Sequence, residues 1–288
     1  MQIIDCHNHP DWQGQDSEAF IREMDRLGID QCWMQSWEAP LDDFDPAYLN
    51  RTCPLGPEYP LPFSRVLHYA ERHPDRFIPG YCPDPRRPDA IARLEAAVSI
   101  YGVKICGEWK LRMLFDNPDS IQLFRRAGEL GLPVVIHLDY PLPRQQVWPR
   151  PNYWYGGSMD AFERALAACP DTLFLGHAPG FWAHMTDDGQ HETCSYPKGA
   201  VTPGGRIERM LERYPNLYCD LSGGSGFNAL NRDHGNARRF LTLWQDRVLY
   251  GRDDVGNIHM PLIDSLGLAD SVREKIYAGN ARRLLRQI

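Results

Sequence analysis

The sequence predicts a closed barrel of eight parallel β-strands, each followed by a helix: an α/β protein of the (β/α)8 type. Three observations carry this. Short apolar runs alternate with amphipathic stretches from one end to the other. Eight such units fit a chain of 288 residues. No G-x-G-x-x-G follows an apolar run, so the competing doubly wound open sheet lacks its phosphate-binding turn.

The strands are expected at 2–6, 31–35, 76–81, 102–106, 133–137, 172–176, 217–221 and 247–250. Helical patterns lie between them at 17–27, 63–73, 89–99, 118–130, 158–168, 205–214 and 236–245, and the tail from about residue 269 is helical as well. Gly or Pro marks most joints, as in Leu130-Gly131-Leu132-Pro133. No linker or compositional break divides the chain, so one domain over 1–288 is expected. Three connections are long for a barrel: 37–62, 138–157 and 178–204. Each follows a strand and so lies over the C-terminal mouth, where barrel enzymes keep their chemistry. Two of them are rich in rings: Trp148, Tyr153, Trp154 and Tyr155, then Phe181 and Trp182.

Bulk properties exclude several classes. A net charge of −7 argues against a nucleic-acid binder, which would carry a basic face. The pairs Arg86-Arg87, Arg125-Arg126, Arg238-Arg239 and Arg282-Arg283 are scattered and read as solvated helix faces. No apolar run is long enough to cross a membrane, and the chain enters its first strand by Gln2 without a signal segment. Eight cysteines stand alone, with no C-x-x-C. They fit reduced thiols in a cytoplasmic protein better than a disulfide framework.

The first strand carries the chemical signal. It reads Ile3-Ile4-Asp5-Cys6-His7-Asn8-His9. Side chains alternate across a strand, so His7 and His9 share a face, with Asp5 behind them and Cys6 on the other side as packing. Strand five ends at His137, strand six at His177, and strand eight is followed by Gly251-Arg252-Asp253. A single histidine ending a strand is commonly a rim or core residue. Three strands ending in imidazole, with a carboxylate on a fourth, converge on the mouth of a barrel, and such a set suits Zn²⁺, Mn²⁺ or Fe²⁺.

Asp5-Cys6-His7-Asn8-His9, His137, His177 and Asp253 resemble the amidohydrolase superfamily. The likeness is closer to its amidohydrolase-related branch, which holds hydrolases together with non-oxidative decarboxylases of the aminocarboxymuconate-semialdehyde type. Tyr277-Ala278-Gly279-Asn280-Ala281-Arg282-Arg283-Leu284 is similar to the closing stretch of this branch, and the resemblance runs from Ile3 to Leu285. It implies that His7, His9, His137 and Asp253 bind one divalent metal, most simply Zn²⁺, with Mn²⁺ or Fe²⁺ as alternatives. His177 would be the proton shuttle or the electrophile beside the activated water. Asp253 would double as ligand and proton acceptor. Superfamily members with two metals carry a bridging Lys or Glu on strand four. By alternation Lys104, Cys106 and Glu108 face one way, and Glu108 lies nearer the mouth. One ion is expected rather than two; with two, His137 and His177 would move to the second and Glu108 would bridge.

Other polar residues are secondary. Asp220 inside strand seven would orient a site histidine or pair with Lys104. His184, His191, His234 and His259 lie on loops or helix starts and read as surface residues, although His259 follows the strand-eight loop and could reach substrate. Arg144, Arg150, Arg252, Lys110 and Arg112 could ring the mouth and favour an anionic substrate, but for most of them plain surface solvation is the better reading. The segment 152–157 would stack on a ring, pack a lid or serve a homo-oligomer contact. No G-x-S-x-G elbow supports serine catalysis, and Cys82 or Cys106 would compete poorly for imidazole. The expected activity is metal-dependent hydrolysis of an amide, lactone or other ester bond in a small anionic or cyclic molecule. A decarboxylase or related lyase on the same scaffold is the rival, and a barrel that only binds is a third class that the intact ligand set disfavours.

Overall fold

The computed structural model describes residues 1–43, 61–139 and 154–285. Strand β1 (Ile4–Asn8) pairs in parallel with β2 (Gln31–Gln35), which pairs with β3 (Phe77–Gly80). A second parallel arc runs through β4 (Cys106–Trp109), β5 (Val134–His137), β6 (Phe174–His177), β7 (Leu217–Asp220) and β8 (Val248–Leu249). The arcs join at both seams. Between β3 and β4, Gly80 bridges Ile105 and the Tyr81 amide donates to the Ile105 carbonyl. Between β8 and β1, the Cys6 amide donates to the Tyr250 carbonyl at 3.0 Å and the Asp253 amide to the His7 carbonyl at 2.9 Å. The sheet therefore closes into the expected barrel.

Two apolar layers explain why the strands read as continuous hydrophobic runs. Ile4, Trp33, Ile105, Val135, Leu175, Tyr218 and Leu249 pack together inside the barrel. Their strand neighbours Met34, Phe77, Cys106, Val134, Phe174, Leu217 and Val248 face outward onto the helices. Ala278, Ala281 and Leu284 of the tail join the inner layer.

Helix starts follow local chemistry. Asp16 accepts from the Ala19 amide ahead of Ser17–Leu27, which ends on Gly28 at φ +68°. Asn117 and Pro118 open Pro118–Glu129, Ser158 opens Met159–Ala168, and Asp233 opens His234–Leu243. Helix Gly223–Asn231 was not legible in the sequence, because its first turn reads Gly-Gly-Ser-Gly. The connection 178–204 is less open than expected, since Pro179–Trp182 forms a helical turn directly after β6. Most of the connections 37–62 and 138–157, including Arg144, Trp148, Arg150, Asn152 and Tyr153, lies outside the described residues. No helix among the described residues is long and apolar enough to cross a membrane.

Candidate metal centre

Strand ends deliver the site. His137 and His177 are direct neighbours in the β5–β6 ladder. The pairing register of β1 with β2 shifts between Asp5 and Asn8, and that of β4 with β5 shifts between Cys106 and Trp109. These irregularities correct the alternation expected on both strands, because an extra residue re-aims the side chains beyond it. Cys6 does not face away from the histidines: it lies in the inner layer with its Sγ 3.5 Å from Asp220 Oδ1. Asp5 does not back the histidines. Its carboxylate accepts from Arg252 Nε at 2.7 Å and from Asn8 Nδ2 at 3.1 Å. On β4, Cys106 belongs to the outer layer, opposite Glu108.

Each imidazole is held by its far nitrogen. His7 Nδ1 lies 2.6 Å from Asp220 Oδ2, and His9 Nδ1 lies 3.0 Å from the Gln35 carbonyl. His177 Nδ1 lies 3.0 Å from Ser222 Oγ and 3.5 Å from Asp220 Oδ2. Asp220 thus serves the histidines and not Lys104. The near nitrogens converge. His7 Nε2 and His9 Nε2 are 3.3 Å apart. Glu108 Oε2 is 3.5 Å and Asp253 Oδ1 3.6 Å from His9 Nε2, while Glu108 Oε1 is 3.8 Å from His7 Nε2. His177 Nε2 stands 3.6 Å from Asp253 Oδ2 and 4.0 Å from Glu108 Oε1. His137 reaches the cluster through Glu108, its Nδ1 2.6 Å from Oε1, while its Nε2 lies 3.1 Å from Asp139 Oδ2. The four histidines, Glu108, Asp139, Asp220 and Ser222 are buried, and the Asp253 side chain is 19 % exposed.

This arrangement fits a divalent cation. A neutral imidazole that donates from Nδ1 presents a lone pair at Nε2. His7 and His9 therefore aim two lone pairs at each other, and only a positive charge between them relieves that. Asp253 Oδ1 is buried with no hydrogen-bond partner among the described residues. Separations of 3.3–3.8 Å are those of atoms about 2.1 Å from a common centre, the bond length of nitrogen and oxygen ligands to zinc. His7, His9 and Glu108 form one ligand-capable triad, and Glu108, His137 and His177 form another.

Electrostatics agree with this reading. Burial alone would keep His7 neutral, but the carboxylate and hydrogen bond of Asp220 outweigh it and lift His7 to about 10. Burial lowers His9 to about 4. Without metal, a proton on His7 thus stands in for a cation between the rings. Burial also opposes ionisation of Glu108, yet the Lys110 ammonium and the His137 ring hold its carboxyl well below the usual range. Asp253 is likewise kept ionised against burial by His177, His7 and His9. A metal must displace the His7 proton, so its apparent affinity should rise with pH, about tenfold per unit between pH 6 and 9. Calorimetry in buffers of different ionisation enthalpy should report about one proton released per ion. Because Asp220 fixes the His7 tautomer, Asp220→Asn should weaken metal binding about 10- to 100-fold in competitive chelator titrations.

The backbone is strained where it serves the site. Ala178, directly after His177, has φ +82° and ψ 171°, a region few non-glycine residues adopt and which costs about 1–3 kcal/mol. Gly223, at φ +72°, supplies the left-handed backbone of the turn after β7 that runs beside His177 and Asp253.

Some expected residues sit elsewhere. His259 is buried at 1 % exposure and bonds the Gly223 carbonyl at 3.0 Å, so it supports the turn and does not reach substrate. Arg252 is buried against Asp5. Arg112 bonds the Asp42 carbonyl. Of the cations considered for the mouth, Lys110 is the one among the described residues that remains beside the site. Asp139, Ser222 and Gln35 were not singled out by sequence; a carboxylate two residues past a strand-terminal histidine was the one signal that pointed to Asp139.

A closed eight-stranded barrel with an imidazole–carboxylate centre at the C-terminal ends of β1, β4, β5, β6 and β8 defines the structural class. The sequence model of the Amidohydrolase family matches residues 4–287, and the chain belongs to that family. No curated protein sequence matches it significantly. Among solved structures it is similar to an uncharacterised TIM-barrel protein of Bordetella bronchiseptica (18 % identity, 100 % of this chain and 99 % of that one, TM-score 0.64). It is similar also to a dihydroxybenzoic acid decarboxylase of Polaromonas sp. JS666, solved with manganese and 2-nitroresorcinol (17 %, 99 % and 97 %, 0.62). A third is a probable 2-pyrone-4,6-dicarboxylic acid hydrolase of Acinetobacter baumannii, solved with citric acid (12 %, 99 % and 100 %, 0.57). At these identities the likeness is one of fold.

Proposed function

We propose that the chain acts as one catalytic unit, a metal-dependent hydrolase that cleaves an amide, lactone or other ester bond in a small molecule. The observation that carries this is the pair of opposed His7 and His9 Nε2 atoms, 3.3 Å apart, with Asp253 Oδ1 buried beside them and without a hydrogen-bond partner among the described residues. His7, His9, Glu108 and Asp253 would hold one divalent ion, Zn²⁺ or Mn²⁺. Such an ion polarises a carbonyl and lowers the pKa of water from 15.7 to about 7.

The protein groups divide the remaining work. Asp253 accepts the proton of the attacking water, since its second oxygen already faces His177. His177 Nε2 then carries that proton to the departing nitrogen or oxygen, its ring fixed by Ser222 and Asp220. His137 steadies Glu108 through its Nδ1 and is itself oriented by Asp139. A second ion between Glu108, His137 and His177 is the less economical arrangement, because the 2.6 Å contact of His137 Nδ1 with Glu108 is the length of a proton-bridged pair.

A decarboxylase is the second reading, favoured by the Polaromonas neighbour. One experiment separates the two. Metal-loaded protein is offered lactones, esters, amides and aromatic carboxylates in H₂¹⁸O and in D₂O. A hydrolase puts one ¹⁸O into the product acid and stops when chelated. A decarboxylase releases CO₂ and puts deuterium on carbon.

A further inference from the structure

The connection after β6 is strapped to helix Gly223–Asn231, which follows β7. Asn228 of that helix holds it twice: Nδ2 donates to the Pro197 carbonyl at 3.0 Å, and Oδ1 accepts from Lys198 Nζ at 2.9 Å. Just beyond the helix, Arg232 Nε donates to the Gly199 carbonyl at 2.9 Å. Tyr196 stands immediately before this anchored stretch and rests its ring edge on Gly224. Its Cε1 and hydroxyl oxygen lie 3.6 and 3.8 Å from the point where a Cβ of Gly224 would stand. The same point on Gly223, one residue back, lies 3.5 Å from His177 Cε1 and 3.5 Å from Asp253 Oδ2. Gly223 is itself fixed, with its amide donating to the Arg252 carbonyl at 2.9 Å and its carbonyl bonded by His259. A two-glycine step thus sets Tyr196 beside the His177–Asp253 pair.

Other tyrosines spend their hydroxyls on the scaffold. Tyr69 donates to the Gln15 carbonyl at 2.7 Å, and Tyr155 to the Asp43 carbonyl at 3.0 Å. The Tyr196 hydroxyl has no hydrogen-bond partner among the described residues. Phenylalanine would pack on Gly224 equally well, so the hydroxyl adds nothing to the fold there. Although 40 % of the residue is exposed, its hydroxyl lies deep enough that burial, with the carboxylates of Asp139 and Asp253, pushes its pKa up to about 12. It is therefore a protonated donor throughout the neutral range. Asp139 lies beyond β5 and Asp253 beyond β8, so a hydroxyl that feels both stands over the opening between them.

We infer that Tyr196 is a further catalytic residue of this site, its hydroxyl donating a hydrogen bond to the substrate oxygen on which negative charge grows as water adds. The inference rests on the proposed hydrolysis for the identity of that oxygen. The phenol keeps its proton throughout. The proton of the attacking water passes to Asp253 and from there, through His177, to the departing group. When the tetrahedral carbon collapses, the charge leaves the oxygen and the hydrogen bond weakens. A donor whose bond strengthens only as charge develops lowers the barrier without tightening the ground state. A neutral donor suits this wall, because an ammonium or guanidinium in its place would pair with Asp139 or Asp253 before substrate.

The test titrates manganese-loaded protein with methylphosphonate, a tetrahedral anion shaped like the adduct of water with a carbonyl. Tyr196→Phe should keep one equivalent of manganese and bind methylphosphonate roughly tenfold more weakly than wild type, or worse. Tyr196→Leu should match Tyr196→Phe within about twofold, since the hydroxyl and not the ring is read. An ester that wild type turns over should lose about 10²-fold in kcat on Tyr196→Phe, with KM within about threefold. A Tyr196→Phe protein that binds methylphosphonate as tightly as wild type would overturn the inference. So would one that loses its manganese, which would make Tyr196 a support of the centre, and so would a wild type that takes no methylphosphonate. Hydroxyl-dependent binding without hydrolysis of any ester, lactone or amide would sink the hydrolase and leave the donor standing. Hydrolysis with kcat unchanged in Tyr196→Phe would remove the donor and leave the hydrolase.

Discussion

His9→Ala should strip the protein of its divalent ion, from about one equivalent per chain to under a tenth after gel filtration, and lower turnover at least 10³-fold. The reasoning is geometric. His9 Nε2 is the atom around which His7, Glu108 and Asp253 are arranged, at 3.3, 3.5 and 3.6 Å. Its ring is aimed by the Gln35 carbonyl, 3.0 Å from Nδ1. Removing it leaves one nitrogen and two carboxylates, a set with lower affinity for zinc or manganese. Metal analysis of purified His9→Ala beside wild type checks the first part, and kcat under excess metal checks the second.

His177→Asn should lower kcat about 10³-fold while metal content stays near the wild-type value. Asparagine can keep a hydrogen bond to Ser222 but cannot exchange a proton near neutral pH. General acid–base catalysis of this kind contributes typically 10²–10⁴-fold. His177 Nε2 faces Asp253 Oδ2 at 3.6 Å but lies 4.0 Å from Glu108, so the proposed ion set does not include it. Retained metal with lost turnover would agree with a single ion. A variant that loses half of its metal would move His177 into a second ion site bridged by Glu108.

The barrel and the main cluster were legible in the sequence because they depend on periods that side chains cannot hide. A strand buried on both faces must read as an apolar run, and Val134-Val135-Ile136 and Phe174-Leu175-Gly176 do so before ending in His137 and His177. What alternation could not supply was the register beyond an irregularity. The shift after Asp5 accompanies a Cys6 that lies on the histidines' side, and the shift after Cys106 parts Glu108 from the face of Cys106; each sits immediately before a group of the site. Strand interiors obey packing, whereas strand ends bend to aim functional groups, so rules of pattern fail first where the chemistry lies. The orienting partners were harder still. Asp220 announced itself as a charge inside a strand, but Ser222, Gln35 and Asp139 are ordinary polar residues whose meaning comes from which imidazole they touch. His259 shows the reverse error: a histidine read as a surface residue is buried and holds the backbone of Gly223.

The most direct measurement is anomalous diffraction from crystals grown with manganese. The account predicts one strong peak within about 2.3 Å of His7 Nε2, His9 Nε2, an oxygen of Glu108 and Asp253 Oδ1, with His137 and His177 outside its ligand shell. Well-occupied crystals with no peak among these four atoms, or with the ion held elsewhere in the barrel, would contradict it.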